Sequence, residues 1–302
     1  TWTSADGTRT FQGELRRFNP ETGMVEVVVN GRLIQFDQAM LSAQDRAFLA
    51  AGLEEKAELE AVDWGDILSS KTADHLPAIG GIVIIDGRMT RPSVHGLRKF
   101  GGTEPVTAED RWHIGSCTKA MTATLVASFV EEGEVSWDTT IGEVFGEDAA
   151  IREAYRPVTL RMLVTNRSGI PGRAPGEIWS NAWKANDAPD LVAARRQFVE
   201  AMLNVEPSFE PGTSYGYSNN GYVTAGAMLE QISGQSWEDL MRERIFEPLQ
   251  MKSAGFGAPG TPGTEDQPWG HRDLQSPVEP GPSADNPKVI GPAGTVHASL
   301  ED

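Results

Sequence analysis

Apolar positions recur with two different periods along this chain, and the change of period divides it. Near the start the period is two. Thr10-Phe11-Gln12-Gly13-Glu14-Leu15 alternates in part, and Val25-Glu26-Val27-Val28-Val29 follows a Glu21-Thr22-Gly23 turn. Asn30-Gly31 then leads into Arg32-Leu33-Ile34-Gln35-Phe36. An Asn-Gly pair between two apolar runs is the strongest short signal for a hairpin, because both residues tolerate positive φ. Leu41-Ser42-Ala43-Gln44-Asp45 opens a short helix through Leu49, with Ser42 as its N-cap. The first fifty residues therefore read as a small β-barrel with a terminal helical turn. Residues 51–76 are polar, acidic and weakly patterned, which reads as a linker with some helix.

Beyond Leu76-Pro77 the pattern changes. Ile79 to Ile85 reads as a strand, turned by Asp86-Gly87 into a second one, with Gly80-Gly81 as a close-packing position. Ala120 to Val130 is apolar almost all round and predicts a helix buried in the core. Gly133 stands where a C-terminal cap glycine belongs. Tyr222, Ala225, Leu229 and Ile232 recur at spacings of three and four, which is one helix face, and Gly234 ends it. Ser236 caps a further helix carrying Trp237, Met241 and Ile245, stopped soon after by Pro248. Residues 256–294 are rich in proline and glycine and predict little regular structure. The chain has no internal repeat.

Composition narrows the function. Among 302 residues, 39% are hydrophobic and 23% charged, as in ordinary globular proteins. No apolar run is long enough to span a bilayer. The formal net charge of -17 should repel nucleic acid and anionic membranes. Cys117 is the one cysteine, so an intramolecular disulfide and a cysteine-rich zinc site are excluded. The five histidines form no His-Glu-x-x-His pair, and no glycine-rich phosphate loop is present, so neither a metal nor a cofactor is expected.

The chemistry centres on His113-Ile114-Gly115-Ser116-Cys117-Thr118-Lys119. Ser116 stands at the head of the apolar helix, and Lys119, one turn on, shares its face. A serine hydroxyl is a poor nucleophile at neutral pH and needs a base within hydrogen-bond reach. A lysine withdrawn from water gives up its proton more readily and can serve. The spacing alone is common, and an N-cap serine followed by an exposed lysine would give it too. A lysine at the head of an apolar helix is the less ordinary observation.

Three further signatures follow in order. Thr159-Leu160-Arg161-Met162-Leu163-Val164-Thr165 runs on to Ser168-Gly169-Ile170-Pro171. Pro211-Gly212 precedes Tyr217-Ser218-Asn219, and Phe246-Glu247-Pro248-Leu249-Gln250-Met251 closes the set. From Leu76 onward the chain resembles the β-lactamase-related serine hydrolases, which include class C β-lactamases, DD-peptidases and family VIII esterases. The resemblance implies an α+β, β-lactamase/transpeptidase-like fold, an antiparallel sheet flanked by a helical region. It implies Ser116 as nucleophile, Lys119 as base, Tyr217 as proton shuttle, and Asn219 as a hydrogen-bond partner of the lysine and of the substrate's acyl side chain. Tyr215 matches an aromatic position expected to pack. Asn166 and Gln250 depart from the family's histidine and glycine, and both changes are expected to be structural. Trp269-Gly270-His271 is a candidate substrate wall, or equally a solvated loop.

The first fifty residues resemble the Sla homology domain, through Trp2-Thr3 with Asp6-Gly7, the Asn30-Gly31-Arg32 hairpin and Leu41-Ser42 with Asp45. This implies a binding or spacer module with a protein or peptide ligand, and an extracytoplasmic setting. The expected organisation is a small all-β barrel over 1–51, a linker over 52–75 and a hydrolase domain over 76–302. The expected substrate is a small molecule or a peptidoglycan-like peptide. Ester and D-amino-acid peptide hydrolysis rank above β-lactam hydrolysis. The alternative is an inactive scaffold of the same fold. The family's third signature, Lys-Thr-Gly or His-x-Gly on an edge strand, is not found, and its expected place lies beyond Asp302. The sequence thus predicts a C-terminally incomplete hydrolase that is inactive as it stands.

Overall fold

The computed structural model describes residues 1–60, 64–72, 76–85, 87–147 and 149–302. The Asp86 half of the expected turn, and residues 61–63 and 73–75 of the expected linker, lie outside the described residues. The rest gathers into two units. One holds Thr1–Trp64 with Ile82–Arg91, the other Gly65–Gly81 with Pro92–Asp302.

In the first unit, β1 (Trp2–Thr3) pairs with β2 (Thr10–Phe11), and β3 (Glu14–Asn19), β4 (Met24–Val29) and β5 (Arg32–Asp37) form an antiparallel meander. The β4–β5 turn is the Asn30-Gly31 pair, at φ 51° and 77°, which locks Val29 opposite Arg32. Val25 and Val27 point inward with Trp2, Leu41 and Leu49, and Phe11, Phe18 and Phe36 pack against them. Two departures from the sequence reading stand out. The five strands make two separate small sheets, not one closed barrel. The helix opened by Ser42, whose Oγ accepts from Asp45 N–H at 3.1 Å, does not stop near Leu49; α1 runs Ala43–Glu60. After Gly52, residues 53–60 are only leucine, glutamate, lysine and alanine, all strong helix formers, and propensity carries the helix onward.

The second unit begins with α2 (Gly65–Thr72) and β6 (Ala78–Gly81). The expected strand through Ile85 breaks here. Ile84–Ile85 is a separate β7 that pairs with β8 (Arg88–Met89) in the first unit, while β6 pairs with β9 (Ser93–Gly96). The apolar run misleads because Ile84 and Ile85 are both exposed and end in no core. Gly80 is close-packed as expected, since a Cβ there would stand 2.8 Å from Leu300 Cδ1.

The chain passes through β10 (Trp112–His113) into α3 (Thr118–Glu131), then α4 (Ile141–Phe145), α5 (Leu160–Val164), α6 (Gly176–Lys184) and α7 (Leu191–Leu203). Next come α8 (Asn219–Ser233) and α9 (Trp237–Met241), the latter running into a π-helical turn over Arg242–Phe246. Strands β11 (Gly255–Phe256), β12 (Gly270–His271) and β13 (Pro277–Val278), the short α10 (Gly291–Gly294) and β14 (Val296–Ala298) follow. β14 lies between β10 and β11, both antiparallel to it. α3 ends as expected. Gly133 takes φ 78° and donates to Val130 O, and Glu134 N–H reaches Phe129 O, the paired closure of a glycine C-cap.

The most buried helix is not the one the pattern indicated. α3 keeps Ala120, Thr124 and Glu131 exposed along one edge. In α8 every residue from Asn220 to Glu230 is buried. Its small residues admit neighbours on all sides: a Cβ at Gly226 would stand 2.5 Å from the Pro292 ring. α8 is surrounded by α3, α4, α5, α7, α9 and α10, and its two ends are fixed by the Ser218 cap and by Gly234 at φ 74°.

Candidate active site

Three chain segments meet at Ser116. The first is the turn from β10 into α3. Gly115 takes φ 51°, where a side chain would be strained, and the chain passes there from strand to helix. Ser116 follows within a 3-10 turn (Gly115–Cys117) and is exposed, whereas Lys119, one turn on, is 6% exposed. Lys119 Nζ donates to Ser116 Oγ at 3.1 Å.

The second segment carries Tyr217. Its Oη lies 2.7 Å from Ser116 Oγ, and Lys119 Nζ lies 4.8 Å from the centre of its ring. Partial burial pushes the Tyr217 phenol up, but polar contacts with Lys119 and Ser116 and the charge on Lys119 outweigh it, so it titrates below an ordinary tyrosine. Asn166 holds this segment in place. At φ 57° it is one of three non-glycine residues in the left-handed region among the described residues. Its carbonyl accepts from Gly216 N–H at 2.9 Å and its Oδ1 from Ser218 N–H at 3.0 Å, one peptide on each side of Tyr217. Sequence reasoning passed over Asn166 as a structural replacement. The available signal was that asparagine is among the few residues comfortable at positive φ.

The third segment is α10. The Ala293 carbonyl accepts from Lys119 Nζ at 2.7 Å, and the Pro292 carbonyl from Thr122 Oγ1 at 2.8 Å. Backbone acceptors of this kind leave no mark in a sequence. The structure therefore brings Ser116, Lys119 and Tyr217 together, within hydrogen-bond reach of Ser116 Oγ.

Asn219 stands apart: its side chain makes no hydrogen bond to a described residue, while Lys119 Nζ donates to Ser116 Oγ and to the Ala293 carbonyl. It lines instead a cavity of about 300 Å³ with Arg173, Ala174, Trp179 and Ile290. That wall is clamped to the Tyr217 segment: Asn220 Nδ2 donates to Pro171 O at 2.6 Å, and a Cβ on Gly172 would stand 2.5 Å from Tyr217 O. Tyr215, expected to pack, is 65% exposed. A flat ring on the strand-like approach to α8 has no facing core there. Trp269 and His271 line a different cavity, of about 370 Å³, whose wall includes His113 but none of Ser116, Lys119 and Tyr217.

A serine held between a lysine and a tyrosine at the head of a helix, on a mixed helix-and-strand scaffold, defines a β-lactamase/transpeptidase-like protein. The chain belongs to the Beta-lactamase family, whose model matches residues 64–302, and so to a family of serine hydrolases. It is 32% identical over 180 residues to penicillin-binding protein 4 of Amycolatopsis lactamdurans, covering 59% of this chain and 44% of that protein. It is 27% identical over 203 residues to a β-lactamase of Escherichia coli strain K12, covering 67% of this chain and 49% of that protein. Among solved structures, the octameric penicillin-binding protein homologue of Pyrococcus abyssi matches with a TM-score of 0.58 and 25% identity, covering 85% of this chain and 54% of that one. The chain spans less than half the length of these curated relatives. Among the described residues no helix is long and apolar enough to cross a membrane.

Proposed function

We propose that this protein is an acyl-transfer hydrolase working through a covalent acyl-enzyme on Ser116. The observation that carries the reading is the position of Ser116 Oγ, 2.7 Å from Tyr217 Oη and 3.1 Å from Lys119 Nζ. Ser116 Oγ attacks an ester or amide carbonyl, and its proton passes to the Lys119–Tyr217 pair. Tyr217, with its lowered pKa, returns a proton to the leaving group. The Ser116 N–H, near the positive end of α3, serves as one oxyanion donor. Water then attacks the acyl-enzyme and regenerates the serine. Asn219 binds the acyl side chain, whose body sits in the cavity against Trp179 and Arg173. An ester or a D-amino-acid peptide suits this reading better than a β-lactam, and an extracytoplasmic setting goes with a peptidoglycan-like substrate.

The domain plan is part of the same proposal: an accessory module at the start of the chain, with a protein or peptide ligand, ahead of the hydrolase from residue 76. The exposed Leu33, Ile34 and Phe48 of the first unit support a binding role. The enzyme reading is tested by labelling the full-length protein with a fluorophosphonate or a fluorescent penicillin, followed by mass spectrometry. The expected result is an adduct on Ser116 that disappears in Ser116→Ala. An adduct on Cys117 or Ser218 would overturn the assignment.

A further inference from the structure

The residue two before Ser116's neighbouring glycine is tied into the site from two directions. Gly115 donates its N–H to His113 Nδ1 at 3.2 Å. A ring nitrogen that accepts carries no proton, so the proton of the neutral ring sits on Nε2. His113 Nε2 faces Asp285 Oδ1 at 2.8 Å, and the Asp285 side chain is only 6% exposed. No other cation lies within ion-pair distance of Asp285 among the described residues, and its second oxygen is buried without a partner.

Asp285 leads back to the site by another path. Its Oδ1 accepts the N–H of Asn286 at 2.6 Å, and Asn286 Nδ2 donates to the Gly294 carbonyl at 3.2 Å. Gly294 follows Ala293, the residue whose carbonyl holds Lys119. A Cβ on Gly294 would lie 3.5 Å from the Gly115 carbonyl carbon, so the two backbones already touch. The contacts close a ring. It runs from Ser116 through Lys119, Ala293, Gly294, Asn286, Asp285 and His113 to Gly115, and back to Ser116.

We infer that His113 is a positioning residue for the nucleophile. By accepting from Gly115 and donating to Asp285, it fixes the Ser116 turn against the segment that carries the Ala293 carbonyl, and so keeps Ser116 Oγ in register with Lys119 Nζ. The need is local. Glycine at φ 51° gives the turn its shape but not its stiffness, because glycine is the least restrained residue. A buried carboxylate, in turn, is costly unless a donor meets it. His113 answers both requirements with one ring, and the two nitrogens do separate work.

This inference rests on the hydrolase reading, and the test separates the two. The measurement is the limiting rate of Ser116 labelling (kinact) and the half-saturating concentration (Ki) for a fluorophosphonate, with the melting temperature alongside. His113→Phe removes both contacts. His113→Asn keeps an acceptor where Nδ1 stood. The expected result is a fall in kinact of about 10- to 100-fold in His113→Phe, the scale of a displaced catalytic group, with Ki nearly unchanged. His113→Asn should recover most of that loss. A purely structural role would lower the folded fraction and move Ki, with no rescue by asparagine. If His113→Phe does not fold, Asp285→Ala takes its place, with the same expected loss of kinact. Unchanged kinact in the folded variant, or asparagine no better than phenylalanine, overturns the inference alone. Failure of the unsubstituted protein to label at Ser116 overturns the hydrolase reading and this inference with it.

Discussion

Lys119 and Arg195 are both buried cations, and their surroundings differ in kind. Arg195, on α7, is completely buried. It pairs with Glu230 of α8 and with Glu238 Oε1 of α9 at 2.6 Å, and its Nε donates to Val289 O at 3.1 Å. Lys119 has no carboxylate within ion-pair distance among the described residues. Its partners are a hydroxyl and a carbonyl, Ser116 Oγ and Ala293 O. A guanidinium stays charged at any ordinary pH, so two carboxylates around it can only fix structure. An ammonium next to a hydroxyl can exchange a proton with it. The cation matched by opposite charge braces three helices, and the one left without a counter-charge stands where chemistry is possible.

Exchanging each cation for an apolar side chain of similar length should therefore give opposite results. Arg195→Met leaves Glu230 and Glu238 facing each other in the core and should cost about 3–5 kcal/mol of stability, read as a lower midpoint in urea. Lys119→Met removes a charge that has no carboxylate to abandon among the described residues, only a hydroxyl and a carbonyl. It should leave stability little changed but slow fluorophosphonate labelling at least about 100-fold, the scale of a lost general base. A large loss of stability with normal labelling in Lys119→Met would collapse the contrast. Tyr217→Phe keeps the lysine and should cost about 10-fold in the same labelling rate, less than the loss of the base itself.

The smallest effect sharpens the Arg195 side. Burial, with Glu238 adding to it, pushes Glu230 up to about 7 against the pull of Arg195 and the Trp237 N–H. The folded protein therefore holds this proton more tightly than the unfolded chain does. Its stabilising contribution is full below about pH 4.5, the ordinary glutamate value, and is lost as the pH rises toward about 7. Glu230→Gln should remove that dependence. Between pH 5 and pH 8 the melting temperature of the parent should fall by roughly 2–4 °C more than that of the variant. Parallel curves would show that Glu230 is ionised throughout.

The parts of this protein that were legible in its sequence are those set by local chemistry. The Ser116–Lys119 spacing, the Gly133 and Gly234 caps and the Asn30-Gly31 hairpin each follow from a few neighbouring residues. Tyr217 was legible only as one member of an ordered set, since nothing local says that a tyrosine a hundred residues on will meet Ser116. The Ala293 carbonyl was not legible, because any residue offers one. Asn166 was visible but undervalued: its role is to hold two peptides, and only the folded chain shows where those peptides lie. The apolar face of α8 was read correctly but too narrowly. Gly221, Gly226 and Ala227 look neutral in a pattern count, yet their small size is what lets other helices enclose every side. The opposite error concerns Ile79 to Ile85, where an unbroken apolar run suggests one strand and the chain makes two.

Gly172 sets a boundary for anyone wishing to redirect this protein to new substrates. Its Cα hydrogen stands against the Tyr217 carbonyl, and a methyl in its place would lie 2.5 Å from that oxygen, a backbone atom that cannot step aside. A mutagenesis library that includes position 172 would spend its diversity on chains in which the tyrosine is displaced. Arg173, Ala174 and Trp179 line the same cavity with side chains rather than a pinned backbone hydrogen. On the proposed hydrolase reading, variation in substrate scope should accumulate at those three positions while residue 172 stays glycine.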